Sequence, residues 1–149
     1  MKKISFLLIA IFVSTMLLAQ KPLTADQQVV QQTIIKMFEA LSNRDSVSLK
    51  AYCTNDISLY EYGERWNIDT LILRAVTQNK TAEFKRVNSF DFINTTLDKR
   101  MALVNYRLQS IITRDGKQST VQWLETIVLL KEKNQWKVKH LHSTLIKRS

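Results

Sequence analysis

Acid–base chemistry needs a proton acceptor and a proton donor held together where water does not level their pKa values. The residues that could supply such a pair cluster in one stretch, residues 121–144, VQWLETIVLLKEKNQWKVKHLHST. It carries Glu125, the His-x-His pair His140 and His142, and the tryptophans Trp123 and Trp136. The only cysteine, Cys53, has no histidine near it in sequence, and a lone thiol beside Tyr52 reads as a small buried hydrophobe.

Turn chemistry sets which of these side chains share a face. Asp115-Gly116 is a two-residue type I′ signal that places Arg114 opposite Lys117, and so Tyr106 opposite Glu125 and Leu108 opposite Trp123. A turn at Lys133-Asn134 places Glu125 opposite His142 and Ile127 opposite His140. A turn at Asp98-Lys99 places Asp91 opposite Tyr106. The expectation is a polar row, Asp91, Tyr106, Glu125 and His142, crossing four strands on a concave face with Val87, Val104, Leu108, Trp123, Ile127, Leu129, Trp136 and Val138.

In that row His142 or Glu125 would serve as general base, Asp91 as a second carboxylate and Tyr106 as a hydrogen-bond donor to developing oxyanion charge. His140, Trp123, Tyr60, Tyr62 and Trp66 would surround a ligand. A single β-bulge in the last strand would exchange His142 for Ser143. His140 and His142 lie on one side of their strand, but only Glu125 or Asp91 is spaced to join them, so no metal centre is expected, and no cofactor motif is present.

The elements that must position these groups are readable in order. Thr24 and Gln27 form a capping box, and Val30, Ile34, Met37, Phe38 and Leu41 then recur at helical spacing. Asn43 ends that helix in a left-handed conformation, and Asp45 caps a shorter one reaching Tyr52. A strand over 57–62 stops at Gly63, and Asn67 caps a third helix with Ile68, Leu71, Ile72, Ala75 and Val76 on its apolar side. Four long strands follow, over 84–95, 101–113, 121–130 and 136–146.

At 149 residues, with 45% hydrophobic content, two glycines and one proline, the chain suits one domain with one core. Residues 1–19, MKKISFLLIAIFVSTMLLA, read as a secretory signal peptide: two lysines, an apolar run too short to span a bilayer comfortably, and a small residue before Gln20. The alternative is an uncleaved N-terminal anchor. Removal of residues 1–19 leaves 20 basic residues against 13 acidic ones, a net charge of +7 in place of +9. An exported protein, periplasmic or secreted, is expected, with residues 20–149 as its domain and no membrane span after cleavage. Its basic residues are scattered and lack interleaved aromatics, which argues against nucleic acid as a partner.

Helix, helix, strand, helix and four long antiparallel strands resemble the NTF2-like superfamily, and within it the SnoaL-like and DUF4440-type members. Trp123-Leu124-Glu125-Thr126 followed by residues 136–143, WKVKHLHS, is similar to the end of the association domain of calcium/calmodulin-dependent kinase II. The resemblance implies an α+β cone in which a strongly curved antiparallel sheet wraps the helices and encloses a pocket. On the other sheet face Met101, Leu103, Leu124, Val128, Leu130, Leu141 and Leu145 are expected outward, too apolar to be left in water, and both they and the resemblance imply a homodimer formed back to back. The functions compatible with this reading are a module binding a small ligand or peptide, or a small-molecule lyase, isomerase or hydrolase.

Overall fold

The computed structural model describes residues 22–149, so the leader read over 1–19 lies outside the described residues. Helix α1 (Ala25–Ser42) starts with the capping box: Gln27 N donates to Thr24 Oγ1 at 3.2 Å, and Thr24 N donates to Gln27 Oε1 at 2.8 Å. It buries Val30, Ile34, Met37, Phe38 and Leu41, the five positions that the spacing marks. The left-handed residue after it is Arg44 (φ 55°), not Asn43 (φ −83°). Helix α2 (Ser46–Ala51) is capped by Asp45, whose Oδ1 accepts from the amides of Val47 and Ser48, both at 3.0 Å.

Strand β1 (Cys53–Glu61) begins four residues earlier than the alternation marks. A tight turn at Tyr62 and Gly63, both at positive φ, returns the chain as a short strand β2 (Glu64–Trp66), too brief to show in the pattern. Helix α3 (Ile68–Leu71), capped by Asn67, runs on as a π-helical turn (Ile72–Thr77). Then come β3 (Phe84–Asp98), β4 (Met101–Arg114), β5 (Lys117–Glu132) and β6 (Gln135–Arg148).

The six strands form one sheet in the order β2-β1-β6-β5-β4-β3. The meander is antiparallel, and β1 joins it parallel to β6. Helix α1 packs into the concave side, where Val104, Leu108, Ile127, Leu129 and Val138 are buried with it.

Register follows the turns until a strand bulges. The β4–β5 hairpin has its type I′ turn at Asp115 (φ 48°) and Gly116 (φ 75°), and Tyr106 faces Glu125 as derived. The β5–β6 turn is also as derived, at Lys133 (φ 47°) and Asn134 (φ 64°). Lys139, however, is an extra residue in β6: Leu129 faces Val138, while Val128 faces His140. The residues from His140 to Leu145 therefore change face, until Ile146, a second extra residue, restores the phase for Lys147 and Arg148. Glu125 pairs with Ser143 and Thr126 with His142, which puts His140 and His142 on the convex side and Leu141, expected outward, in the core. The Lys139 side chain is tied to the Asp56 carboxylate of β1.

The β3–β4 hairpin departs twice. Its turn is Lys99-Arg100, one residue later than expected, because Asp98 pairs with Met101. Ile93 is then an extra residue between Phe92 and Asn94. The two shifts leave a net displacement of one residue, so Phe92, not Asp91, faces Tyr106. Asp91 pairs with Arg107 on the convex side, its carboxylate 3.4 Å from the guanidinium, and Val87 is exposed there too. The bulge sits where α1 grips the strand: Gln27 Nε2 donates to the Thr95 carbonyl at 2.8 Å and Gln31 Nε2 to Thr95 Oγ1 at 2.9 Å.

Because Ile34 is fully buried between helix and sheet, Ile34→Ala is expected to lower unfolding free energy by about 3 kcal/mol in urea titrations. Val29→Ala, on the exposed side of the same helix, is expected to stay within about 0.5 kcal/mol of wild type.

Candidate functional site inside the cone

The row that crosses the concave face is Glu61, Ser143, Glu125, Tyr106 and Phe92. Tyr106 stands between Phe92 and Glu125, and Glu125 faces Ser143. Glu61 belongs to the row because Tyr60 pairs with His142, so the next residue of β1 lies beside Ser143, in phase with the buried Ile57 and Leu59.

Two members have polar atoms without a partner. Ser143 Oγ donates to Glu125 Oε1 at 2.7 Å, whereas Glu125 Oε2 and the Tyr106 hydroxyl, near enough for each to shift the other's pKa, are buried with no hydrogen bond of ordinary geometry. Leaving such atoms unmet costs stability, roughly 1–3 kcal/mol each, and native folds accept that cost where function uses the group. Three phenylalanines pack around Tyr106, with Phe90 and Phe92 at 5.7 and 5.6 Å and Phe38 at 6.5 Å between ring centroids.

Arg86 of β3 supplies the positive charge. Its guanidinium carbon lies 5.5 Å from the ring centroid of Phe38 and 5.5 Å from that of Trp123. Its Nε donates to Asn88 Oδ1 at 2.9 Å and to Ser110 Oγ at 3.1 Å, and Ser110 in turn donates to Asn88 Oδ1 at 2.7 Å. The aromatic faces and the aimed acceptors hold an otherwise flexible side chain in one place.

These groups shift one another. Burial raises the Glu125 carboxyl above the usual carboxylate range, against the lowering influence of Tyr106, Ser143 and Arg86. Burial, and then the charge of Glu125, pushes Glu61 from 4.5 to about 7. The Tyr106 hydroxyl is raised by burial and by the adjacent Glu125. Burial lowers the Arg86 guanidinium, which Glu125 and Glu61 oppose. One cation thus faces two carboxyl groups that ionise reluctantly, an arrangement able to hold a proton near neutrality and exchange it with a bound molecule.

Of the residues singled out by the sequence, Tyr106, Glu125 and Trp123 meet on the concave face. His142, His140 and Asp91 do not, for the register reasons given above. Tyr60 also points outward, its ring 5.2 Å from His140 and 6.1 Å from His142 between centroids. Ser58 Oγ lies 2.8 Å from His140 Nδ1, and burial followed by the neighbouring His142 lowers the His140 pKa. Tyr62 is exposed in the β1–β2 turn, where its hydroxyl accepts from Arg148 at 3.0 Å. Trp66 is buried and donates from Nε1 to Glu64 at 2.8 Å. Cys53 is buried, and its thiol is pushed to about 12 by that burial. Among the described residues no three His, Cys, Asp or Glu side chains are grouped to hold a metal ion.

Ser143 takes the place of His142 through the β-bulge that the sequence allows for, whereas Glu61 and Arg86 are residues of the site not singled out from the sequence. A signal for both exists: Glu61 keeps the phase of Ile57 and Leu59, and Arg86 that of Phe84, Phe90 and Phe92. Ionisable side chains in phase with a buried face are candidates for a site.

A curved sheet around a capped helix, with its polar residues gathered on the concave side, defines an NTF2-like α+β fold. The chain belongs to the SnoaL-like domain family, whose model matches residues 30–146. No curated protein sequence matches it. Among solved structures it is similar to a ketosteroid isomerase-like protein from Erwinia carotovora atroseptica, at 16% identity and a TM-score of 0.68, covering 84% of this chain and 99% of that one. It is similar also to an NTF2-like protein from Cytophaga hutchinsonii, at 18% identity and a TM-score of 0.68, covering 83% and 100%. A third is the CaMKII hub homology domain of Chlamydamonas reinhardtii, at 18% identity and a TM-score of 0.73, covering 83% and 100%. Identities this low establish the shared fold.

The raised Glu61 gives a pH signature. Its folded pKa lies above its unfolded one, so its contribution to stability is complete below about 4.5 and is lost as pH rises through about 7. Melting temperature should fall across that interval, and Glu61→Gln should flatten the fall when the two proteins are scanned from pH 4.5 to 8.

Proposed function

We propose that the protein is an exported, homodimeric small-ligand-binding domain whose ligand reaches the Glu125–Tyr106 end of the concave row. The observation that carries this reading is the pair of buried, unpartnered polar atoms, Glu125 Oε2 and the Tyr106 hydroxyl, on neighbouring strands of one face. A hydroxyl group would satisfy both, accepting from the tyrosine and donating to the carboxylate, and a carbonyl would accept from the tyrosine alone, while Phe38, Phe90 and Trp123 supply apolar walls.

Export rests on the sequence of residues 1–19. Among the described residues no helix is long and apolar enough to cross a membrane. Dimerisation rests on the convex face, where Met101, Leu103 and Leu124 are exposed together with Tyr60; Leu145, expected on that face, pairs with Trp123 on the concave side because of the Lys139 insertion. That one similar structure is a hub homology domain is consistent with this.

A second reading has its own support. Glu61, at about 7 beside Glu125, is suited to general acid or base work near neutral pH, and the ketosteroid isomerase-like neighbour has the same fold. Such a lyase or isomerase would use Glu61, Glu125 and Tyr106, without the histidines.

Thermal-shift screening with small carbonyl, sterol-like and aromatic compounds separates the readings. A ligand is expected to raise the melting temperature of the wild type by several degrees and that of Tyr106→Phe or Glu125→Gln by markedly less. Equal shifts in all three would refute the site. Turnover of a hit that Glu61→Gln abolishes would favour the enzyme. In light scattering after size exclusion, Leu124→Glu is expected to convert a dimer to monomer; an unchanged mass would remove the convex face from the interface.

A further inference from the structure

A cleft of about 320 Å³ opens beside Arg86, between the end of α1, the π-helical turn, the segment that follows it and the adjoining ends of β3 and β4. Four of its lining side chains are cationic, Arg74, Lys80, Arg86 and Arg114, and no carboxylate lines it. Arg74 is matched by Glu64 at 2.8 Å. Lys80, Arg86 and Arg114 form no ion pair among the described residues. Of the other acids, Glu61 and Glu125 approach Arg86 from the interior, and Asp115 Oδ1 accepts from the Glu83 amide at 3.2 Å.

The cleft is built rather than incidental. Arg86 uses its Nε on Asn88 and Ser110, which leaves its two η nitrogens without a protein acceptor among the described residues. The segment carrying Lys80 is fixed from below, because Arg44 donates to the carbonyls of Asn79 at 3.1 Å and Thr81 at 3.0 Å. Phe84 is flanked by the guanidinium groups of Arg44 and Arg114, at 5.2 and 5.8 Å from its ring centroid. Arg86 is largely buried while Lys80 and Arg114 are exposed, so the cleft offers an entering anion one desolvated guanidinium and two solvated cations.

We propose that this cleft binds the oxyanion head, carboxylate or phosphate, of a small molecule, with Arg86 engaging it through both η nitrogens and Arg114 and Lys80 closing on its outer oxygens. A planar guanidinium offers the paired donors that such heads accept in bidentate fashion. The inference rests on the reading that the cone takes a small ligand and adds which head group that ligand carries. Leu41 and Ile112, also in the lining, would meet the carbon skeleton. An anion beside Arg86 opposes ionisation of Glu61 and Glu125, so binding takes up protons and tightens as pH falls from 8 to 6.

The test is an NMR titration of the purified protein at constant ionic strength with benzoate, inorganic phosphate and the neutral isostere benzamide. At least one anion is expected to give saturable shifts at the amides of residues 79–81 and 114, and benzamide none; which anion does so identifies the head. Arg86→Gln and Arg114→Gln are each expected to weaken binding about tenfold, and Lys147→Gln, outside the cleft, by less than about twofold. If Arg86→Gln does not fold, Arg114→Gln and Lys80→Gln carry the same expectation. The proposal is overturned if neither anion saturates, if benzamide binds as well as benzoate, or if Lys147→Gln weakens binding as much as Arg114→Gln. A ligand that depends on Tyr106 and Glu125 but is indifferent to Arg114→Gln and Lys80→Gln would remove the anionic head and leave the cone reading standing.

Discussion

Curvature is the constraint on which the rest of this structure depends. A sheet bent far enough to wrap α1 cannot keep strict alternation along every strand, and the strain is released at single inserted residues, Ile93 in β3 and Lys139 and Ile146 in β6. Each insertion exchanges faces for the residues beyond it, up to the next insertion. The Lys139 insertion brings Leu141 and Ser143 inward and sends both histidines outward, so the chemistry of the interior is decided by one residue that is itself outside it. The Ile93 insertion does the same for Phe92 and Asp91, and the hydrogen bonds from Gln27 and Gln31 to Thr95 tie that bend to the helix that requires it.

The interior that results is unusual in its charge balance. A hydrophobic core ordinarily excludes an arginine and two glutamates, since each ion taken from water costs several kcal/mol unless it is paired. Here the cation is accommodated by aromatic faces and neutral acceptors, and burial raises the pKa of both acids, that of Glu61 to about 7, which lessens the cost of burying them. The cluster contributes little to folding for what it costs. Its retention is more simply explained by something it binds than by the fold it occupies.

Much of the fold was legible in the residues because the signals were local. The capping box at Thr24 and Gln27, the five apolar positions of α1, the caps Asp45 and Asn67 and the Asp115-Gly116 turn each act within a few residues, and each is found as read. The Tyr106–Glu125 pairing follows from that turn and stands within eleven residues of it. The candidate site was legible only that far. His142 lies one bulge beyond the Lys133-Asn134 turn, and Asp91 lies beyond both a displaced turn and a bulge, and neither type of event has a reliable residue signature in these strands. Glu61 and Arg86 were missed for a different reason: they lie on the first strand and on the far edge strand, outside the hairpin in which acid–base residues are concentrated, although their phase with buried neighbours marks them.

The parallel pairing of β1 with β6 has a consequence for how the chain is made. Ser58 and His140, joined through their side chains, are 82 residues apart, and no strand other than the three-residue β2 borders β1 until β6 arrives. Loop-closure entropy on that scale is paid late, and chains dominated by such distant contacts fold slowly. Helices α2 and α3 pack on β1 from nearby in the chain, but its long hydrogen-bonding edge stays open until residues near 140 have emerged.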